Sequence, residues 1–390
     1  MIVDGREDAV MTSGTVESLL EQGLPSAEVF YLEQLVGRIA QVHDGRCAFE
    51  YDVDFLKKGI SISPFQLPAE PGLVEATHTP FYGNFGVFED SLPDGWGSLV
   101  LDLYLREQGI DPASLSVLHR LSLVGSTGRG ALEYLPDASA QDESIDVDFN
   151  GLAQQVQDLY HAEKYNEESL DTLYRYSGSS GGARPKIFIA AEGEEWLVKF
   201  AASIDPTDVG KQEYGYSFLA RECGLEMADT KLFEDKYFGT KRFDRTPTGK
   251  VHTISAAGLL NADYRIPSLD YEVLLKACAH LTLDMHEVEK LFKLMVFNVV
   301  IGNRDDHAKN FSFQLHGDKW KLSPVYDVLP CYGFNGNHTT TINGQGNPKR
   351  SDLIACGSAI DLGHDIMNEI IDKTLQICKS ENMHRPDLKL

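Results

Sequence analysis

Between Leu294 and Ile301 the chain is apolar at nearly every position, within the run EVEKLFKLMVFNVVI. A helix with no polar side has to be enclosed by other elements, so this one predicts the centre of a domain. It gives way to GNRDDHAKNFSFQLHGDKWKLSPVYD (302–327): a short polar loop, two strand-like runs joined at a turn, and a second acidic position at Asp327. Asp305 and Asn310 stand five apart in that loop. A buried helix is a rigid platform for whatever chemistry the loop carries. The plain alternative is a polar loop that caps a helix and leads into a hairpin.

At 390 residues the chain suffices for two or three packed units. Apolar residues at 42% and charged residues at 24% predict a globular protein with a sizeable core. Lys and Arg number 35 against 59 Asp and Glu, a formal charge of −24. Such acidity argues against direct binding to DNA phosphates, short of a local basic patch. Cys47, Cys223, Cys278, Cys331, Cys356 and Cys378 are far apart and form no CxxC pair. Buried thiols in a reducing compartment are expected, rather than a zinc site or a disulfide framework. The start MIVDGREDAV lacks a basic-then-apolar signal pattern, and no apolar stretch reaches the roughly 20 residues that cross a bilayer. The expected location is cytoplasmic, away from membranes.

Residues 1–32 carry a weak helical pattern in VESLLEQ, with Thr15 as a cap, and have no assigned role. From Val36 strand alternation takes over: VGRIAQV, then Asp44-Gly45, then CAFEYDV, a hairpin signal. Pro64, Pro68 and Pro71 punctuate a loop. After FEDSLPDGWG, the residues Leu99, Leu101, Leu103, Tyr104 and Leu105 predict a buried helix closed by Gly109, and a second helix is expected over Ala113–Leu123. The Gly-rich GSTGRGALEYL has no Lys-Ser or Lys-Thr at its end, so a turn entering a strand is favoured over a P-loop. The acidic stretch DASAQDESIDVDFN (137–150) makes the best domain boundary, and helices follow at Leu152–Ala162 and Glu168–Tyr174.

A second informative stretch is YSGSSGGARPKIFIAAEGEEWLVKF. Small residues Gly178–Ala183 lead into the strand KIFIAA, a Glu-Gly turn and the strand WLVKF. Glycine and serine let backbone N–H groups approach phosphate oxygens, and such concave nests bind anions. Lys199 lies amid apolar neighbours, which is costly unless it is paired. An edge-strand lysine that snorkels outward is the plain reading. A candidate partner is Glu213, in the first turn of a helix predicted over Gln212–Arg221. TKLFEDKYFGTKRFDR reads as two strands and a connecting segment. Beyond Val251 the chain turns helical, at Tyr271–Ala279, Val288–Ile301 and Ile366–Cys378. YGFNGNHTTTINGQGN (332–347) is expected to be mobile or to face substrate.

In protein kinases a catalytic-loop Asp lies five residues before an Asn, a later Asp holds magnesium, and a strand lysine pairs with a glutamate on the next helix. Asp305, Asn310, Asp327, Lys199 and Glu213 follow that pattern. More specifically, from about Val36 the chain resembles the HipA family of serine/threonine kinases, the toxin components of bacterial toxin–antitoxin pairs. The resemblance runs through VGRIAQVHDGRCAFEY, FEDSLPDGWG, SVLHRLSLVGSTGRGALEYLP, GSSGGARPK, WLVKF, KRFDR, GNRDDHAKNFSF and SPVYDVLP. It implies an α+β, protein-kinase-like two-lobed fold. An N-terminal HipA-type subdomain would cover 1–148, with a short unplaced extension at its start. A mixed nucleotide-binding N-lobe would cover 149–245, and a mainly helical catalytic C-lobe 246–390.

The same resemblance implies ATP and Mg as cofactors. Asp305 matches the catalytic residue that positions and deprotonates the target hydroxyl, and Asn310 and Asp327 match the metal ligands. Lys199 would sit on the α/β-phosphates with Glu213 as its supporting ion pair. Gly181, Gly182, Ala183, Arg184, Pro185 and Lys186 match the phosphate-binding loop, and Lys241, Arg242 and Phe243 match the adenine hinge. His307, Ala308, Lys309 and Asn310, with Tyr326 and Asp327, complete the implied nucleotide contacts. Ser179 or Ser180 matches the autophosphorylated serine whose modification expels the phosphate loop. Lys241 stands where an acidic residue is familiar, and Asp306 replaces a common glycine; only Asp305 keeps the five-residue spacing to Asn310.

The implied activity is that of an ATP- and Mg-dependent protein serine/threonine kinase, the toxin of its pair, inactivated by autophosphorylation. Its implied partners are a protein substrate, with an aminoacyl-tRNA synthetase as the family example, and a small helix-turn-helix antitoxin through which alone DNA would be reached. Two rivals share part of the pattern: a catalytically inactive kinase-fold corepressor acting with a DNA-binding antitoxin, and a kinase for small molecules. The filled catalytic positions argue against the first, and the serines at 179 and 180 against the second.

Overall fold

The computed structural model describes residues 23–140, 147–160, 167–178 and 181–385. The helix expected near Thr15, the end of the helix expected over Leu152–Ala162, and Ser179 and Ser180 lie outside them. The chain divides into two compact units, one of Met1–Gly210 with Leu232–His252, the other of Lys211–Lys231 with Thr253–Leu390.

The first unit opens with a five-stranded antiparallel sheet in the order β4-β3-β2-β1-β5. Its strands are β1 (Ser26–Tyr31), β2 (Gln34–Gln41), β3 (Cys47–Tyr51), β4 (Leu73–Glu75) and β5 (Leu132–Leu135). The expected hairpin is β2–β3, with Gly45 at φ +86 in its turn. Strand β1 corrects the reading of residues 1–32 as unplaced. Its turn into β2 is made by Leu32 and Glu33 at φ 47 and 67, residues that carry none of the usual turn chemistry.

Helix α1 (Gly95–Glu107) buries Leu101 and Leu105, but Leu99 is 42% exposed, so the helix keeps a solvent side. Helix α2 (Val117–Val124) starts later than the expected Ala113. Ser116 and His119 form a capping box there, and Pro112–Ser114 makes a separate 3₁₀ turn. After α3 (Phe149–Tyr160) and α4 (Glu167–Ser177) comes a second sheet, β6-β7-β9-β8, of β6 (Lys186–Ala191), β7 (Glu194–Lys199), β8 (Thr230–Phe233) and β9 (Tyr237–Lys241). Trp96 and Val100 of α1 share one apolar cluster with Val156, Leu173, Ile187 and Val198. The core is thus continuous across the acidic stretch at 137–150, and the compact division does not fall there. Helix α5 (Val209–Glu222) begins a turn earlier than expected, as Val209 N–H bonds the Pro206 carbonyl at 3.1 Å, and this moves Glu213 out of the first turn.

In the second unit β10 (His252–Ser255) begins the region expected to be helical, and forms a sheet in the order β10-β11-β12 with β11 (Ser312–His316) and β12 (Lys319–Leu322). Asp270 and Asp284 cap α6 (Tyr271–Thr282) and α7 (Met285–Ile301) by accepting backbone N–H groups. No residue from Leu294 to Ile301 is more than 4% exposed, as the apolar run predicts. Helices α8 (Arg350–Ser358) and α9 (His364–Ser380) follow, the latter longer at both ends than expected. The segment 332–347, expected to be mobile or to face substrate, is in part built into the fold. Tyr332 and Phe334 are exposed, but His338 and Thr340 are buried, and Thr340–Thr341 pairs in parallel with Leu269–Asp270. Among the described residues no helix is long and apolar enough to cross a membrane.

Candidate functional site

Helix α7 ends where Gly302 turns left-handed at φ +77, and the N–H groups of Gly302 and Asn303 both bond the Asn298 carbonyl, at 3.0 and 2.9 Å. Asn298 interrupts an otherwise apolar run, and a buried amide must find partners. It donates to the Tyr271 hydroxyl at 3.0 Å and accepts from the Asn303 amide at 3.1 Å. The Asn303 amide also reaches the Asp327 carbonyl at 3.2 Å. Tyr271 in turn donates to Asp306 Oδ2 at 3.0 Å. Burial, then the Asp306 charge, push the Tyr271 hydroxyl well above its ordinary pKa.

Asp306 is 0% exposed. Besides Tyr271 its carboxylate takes His338 Nδ1 at 2.8 Å and the N–H groups of Thr339 and Thr340 at 3.0 and 3.3 Å. Asp305, one residue earlier, is exposed. Its N–H donates to Cys331 Sγ at 2.9 Å, and its carbonyl accepts from Asn310 Nδ2 at 2.7 Å. The loop therefore turns one of two adjacent carboxylates inward and the other outward. Burial and the nearby Asp305 push the Cys331 thiol up to about 11. Because the Asn310 amide nitrogen is spent on the loop, its side-chain oxygen is the group left to act as a ligand. Asp327 sits at φ +57, in the left-handed region that aspartate enters more readily than most non-glycine residues.

The intervening residues largely hold the loop itself. His307 Nδ1 accepts the Lys309 N–H at 3.2 Å and caps the 3₁₀ turn Ala308–Asn310. Lys309 Nζ lies 4.2 Å from the Tyr264 ring centroid, and Ala308 is buried. The Tyr326 hydroxyl donates to the Lys309 carbonyl at 2.7 Å and meets Ser312 Oγ at 2.6 Å. Sequence reasoning missed Tyr271, Asn298, His338 and Cys331. A usable signal existed for Asn298 alone, a single polar residue inside an apolar helix.

The other candidates stand in the first unit, except Glu213, which belongs to the second. The β6–β7 register puts Lys186 directly opposite Lys199. Like charges so placed repel, and an anion bound to both would relieve them. Lys186 Nζ contacts the Gly181 carbonyl, and Lys199 Nζ lies 5.8 Å from the Phe238 ring centroid. Gly182, at φ +85, donates its N–H to Asp94. Ala183 is exposed. Arg184 grips Asp205 at two points, 2.9 and 3.1 Å, while the Pro185 carbonyl accepts the Phe200 N–H at 2.9 Å. Burial would raise the Asp205 pKa, but Arg184, the Ala202 N–H and Lys199 outweigh it and hold the carboxyl below its ordinary value.

At the end of β9, Lys241 pairs with Glu194 at 2.7 Å, and Arg242 turns inward to Asp244 at 2.8 Å, Glu195 at 3.2 Å and the Gly128 carbonyl at 3.3 Å. Arg245 reaches the Gly128 and Gly130 carbonyls, each at 2.8 Å, and Asp244 accepts the Gly130 N–H at 2.7 Å. Burial would raise the Asp244 carboxyl, yet the two guanidinium groups hold it far below its usual range. Phe243 is half-buried. With the Lys241 and Arg242 side chains committed and the Arg242 N–H bonded to the Glu195 carbonyl at 2.8 Å, a nucleotide contact at 241–243 would fall to the other backbone groups or to Phe243. The GSTGRG segment offers carbonyls to cations and enters β5, as the sequence predicts for a turn.

Among the described residues no three His, Cys, Asp or Glu side chains gather into a metal cage. Asn310 and Asp327 offer an amide and a carboxylate oxygen, a hard donor set that suits magnesium, which keeps waters and substrate phosphates as its remaining ligands.

The HipA-like C-terminal domain family matches residues 178–381, and the HipA N-terminal domain family matches residues 27–135, a span that includes nearly all of β1. The kinase-named protein Y4dM of Sinorhizobium fredii is 22% identical over 336 residues, 79% of this chain and 78% of that one. Toxin YjjJ of Escherichia coli is 24% identical over 191 residues, 45% of this chain and 42% of its own length. A chain of the Shewanella oneidensis toxin–antitoxin complex of HipA, HipB and operator DNA superposes with a TM-score of 0.67 at 16% identity, covering 92% of each chain. With the C-terminal match spanning more than half of its length, the chain belongs to the HipA family.

Proposed function

We propose that this chain is an ATP- and magnesium-dependent protein serine/threonine kinase and the toxin of a toxin–antitoxin pair. The observation that carries the reading is the division between Asp306, fully enclosed and hydrogen-bonded, and Asp305, turned outward at the five-residue spacing from Asn310. Asp305 orients the attacking hydroxyl and accepts its proton. The Asn310 oxygen and the Asp327 carboxylate hold the metal ion, which when bound neutralises charge on the phosphates. Lys199, supported by Glu213, sets the α/β-phosphates, and residues 181–186 receive them through Lys186 and backbone N–H groups, that of Gly182 being taken by Asp94 and Pro185 having none. The backbone of 241–243 meets the adenine, and His307–Asn310 with Tyr326 shape the nucleotide's surroundings. Positioning and electrostatics supply most of such chemistry. Ser179 or Ser180 takes the autophosphorylation that silences the enzyme.

The kinase name of Y4dM and the toxin name of YjjJ support this reading. The HipB and operator DNA of the Shewanella oneidensis complex support a small helix-turn-helix antitoxin as partner. A formal charge of −24 favours DNA being reached through that partner. The substrate is a protein, of which an aminoacyl-tRNA synthetase is the family example.

The test is phosphate transfer from labelled ATP with magnesium. Asp305→Ala should lose at least about 10²-fold in rate while still binding ATP and melting as the wild type does. Asp306→Ala should instead melt at a lower temperature. Transfer that survives in Asp305→Ala overturns the assignment, and an inactive wild type that represses with a DNA-binding partner selects the corepressor reading.

A further inference from the structure

Asp94, Gly95 and Trp96 have no part in the reading above, yet they grip the middle of the small-residue loop from 88 residues away. The Asp94 carboxylate accepts the Gly182 N–H, and the Trp96 N–H donates to the Gly182 carbonyl at 3.0 Å. One tripeptide thus holds the peptide groups on both sides of a single residue. Gly95 sits at φ +47, and a Cβ there would lie 2.5 Å from the Gly182 oxygen, so the two backbones meet at a distance only glycine permits. A Cβ on Gly181 would lie 3.1 Å from the same carboxylate.

The grip is built on a fixed base. Trp96 is 1% exposed, packs in the cluster with Leu170, Leu173 and Ile187, and donates Nε1–H to Ser177 Oγ at 3.0 Å. The first turn of α1 is therefore tied to the end of α4, immediately before the loop, and to the loop itself. A carboxylate on a backbone N–H is a charge-assisted bond and stronger than a neutral one. Order imposed on a loop during folding no longer has to be imposed when a ligand arrives.

We infer that Asp94 is a positioning residue for the phosphate loop. Its carboxylate, together with the Trp96 N–H across Gly95, holds Gly182 so that the backbone of Ala183–Lys186 is preset for a nucleotide phosphate. This rests on the nucleotide reading of that loop. If Asp94 instead competed with phosphate for the Gly182 N–H, its removal would tighten nucleotide binding.

The experiment uses the full chain as wild type, Asp94→Ala and Asp94→Asn. Hydrogen exchange of the peptide covering Gly182 is measured without nucleotide, and ATP-magnesium affinity and KM are measured against kcat. Asp94→Ala should speed exchange there and raise the Kd and KM for ATP, each by roughly 10-fold, with kcat largely kept, as loss of a charged hydrogen bond implies. Asp94→Asn keeps a side-chain oxygen as acceptor and should restore most of both. Exchange or ATP binding in Asp94→Ala equal to the wild type overturns the inference, as does tighter binding. A wild type that binds no ATP overturns the nucleotide reading itself and the inference with it.

Discussion

The first unit contains two glycine-rich loops that look alike in composition, GSTGRG at 125–130 and SGSSGGAR at 177–184, and they are held by different partners. The first turns its Gly128 and Gly130 carbonyls to Arg242 and Arg245. The second gives the Gly182 N–H to a carboxylate and is followed by Lys186, opposite Lys199. One loop is satisfied by cations of its own chain and serves as an anchor. The other is tied to Asp94 and Trp96 and is followed by two lysines that stand opposite one another. Glycine content permits both arrangements, and the side chains that meet the peptide groups decide between them.

The largest effect that could break this comparison lies in the anchor. Asp244→Ala leaves Arg242 and Arg245 without their buried partner and should cost about 3–5 kcal/mol of stability in denaturant titrations. A loss under about 1 kcal/mol would mean that the first loop is not held by these charges. Next comes acid. The same segment continues to His252, whose Nε2–H bonds the Ile62 carbonyl at 2.8 Å and whose pKa burial lowers from 6.5 to about 4. Because the unfolded chain binds this proton at higher pH than the folded chain, the contribution is complete above pH 6.5 and is lost as pH falls toward about 4. The total is about 3 kcal/mol, and His252→Phe should flatten the slope of stability against pH across that window. The smallest effect has the opposite sign. Lys199→Met should leave stability unchanged or raise it by about 0.2–1 kcal/mol, since it removes a like-charge opposition, while ATP binding weakens in titration calorimetry. A destabilised Lys199→Met would show that the second loop's lysines are structural after all.

Local patterns were legible where neighbours in sequence are neighbours in space. The β2–β3 hairpin, the β6–β7 pair and the enclosed α7 all follow from alternation, a Gly turn, or an apolar run. Strand β1 escaped because Leu32 and Glu33 make its turn without a turn signature. The capping box at Ser116 was readable only by weighing His119 as an N3 partner, a role more often filled by Glu or Gln. At the candidate site the spacing of Asp305 and Asn310 was visible, but the reason Asp306 points inward was not. Its partners Tyr271 and His338 lie 35 and 32 residues away, and only the folded chain brings them together.

The inward and outward carboxylates also fix a length. The loop is pinned at its start by Asn303 on Asn298 and at its end by Asn310 on Asp305, with Thr340 Oγ1 bonding the Asp306 carbonyl between them. Surface loops ordinarily accept insertions and deletions more readily than the elements they join. Here one residue added or removed between Gly302 and Asp306 should shift which carboxylate, if either, meets Tyr271 and His338. Relatives can therefore change side chains along this stretch, but its residue count should be held constant.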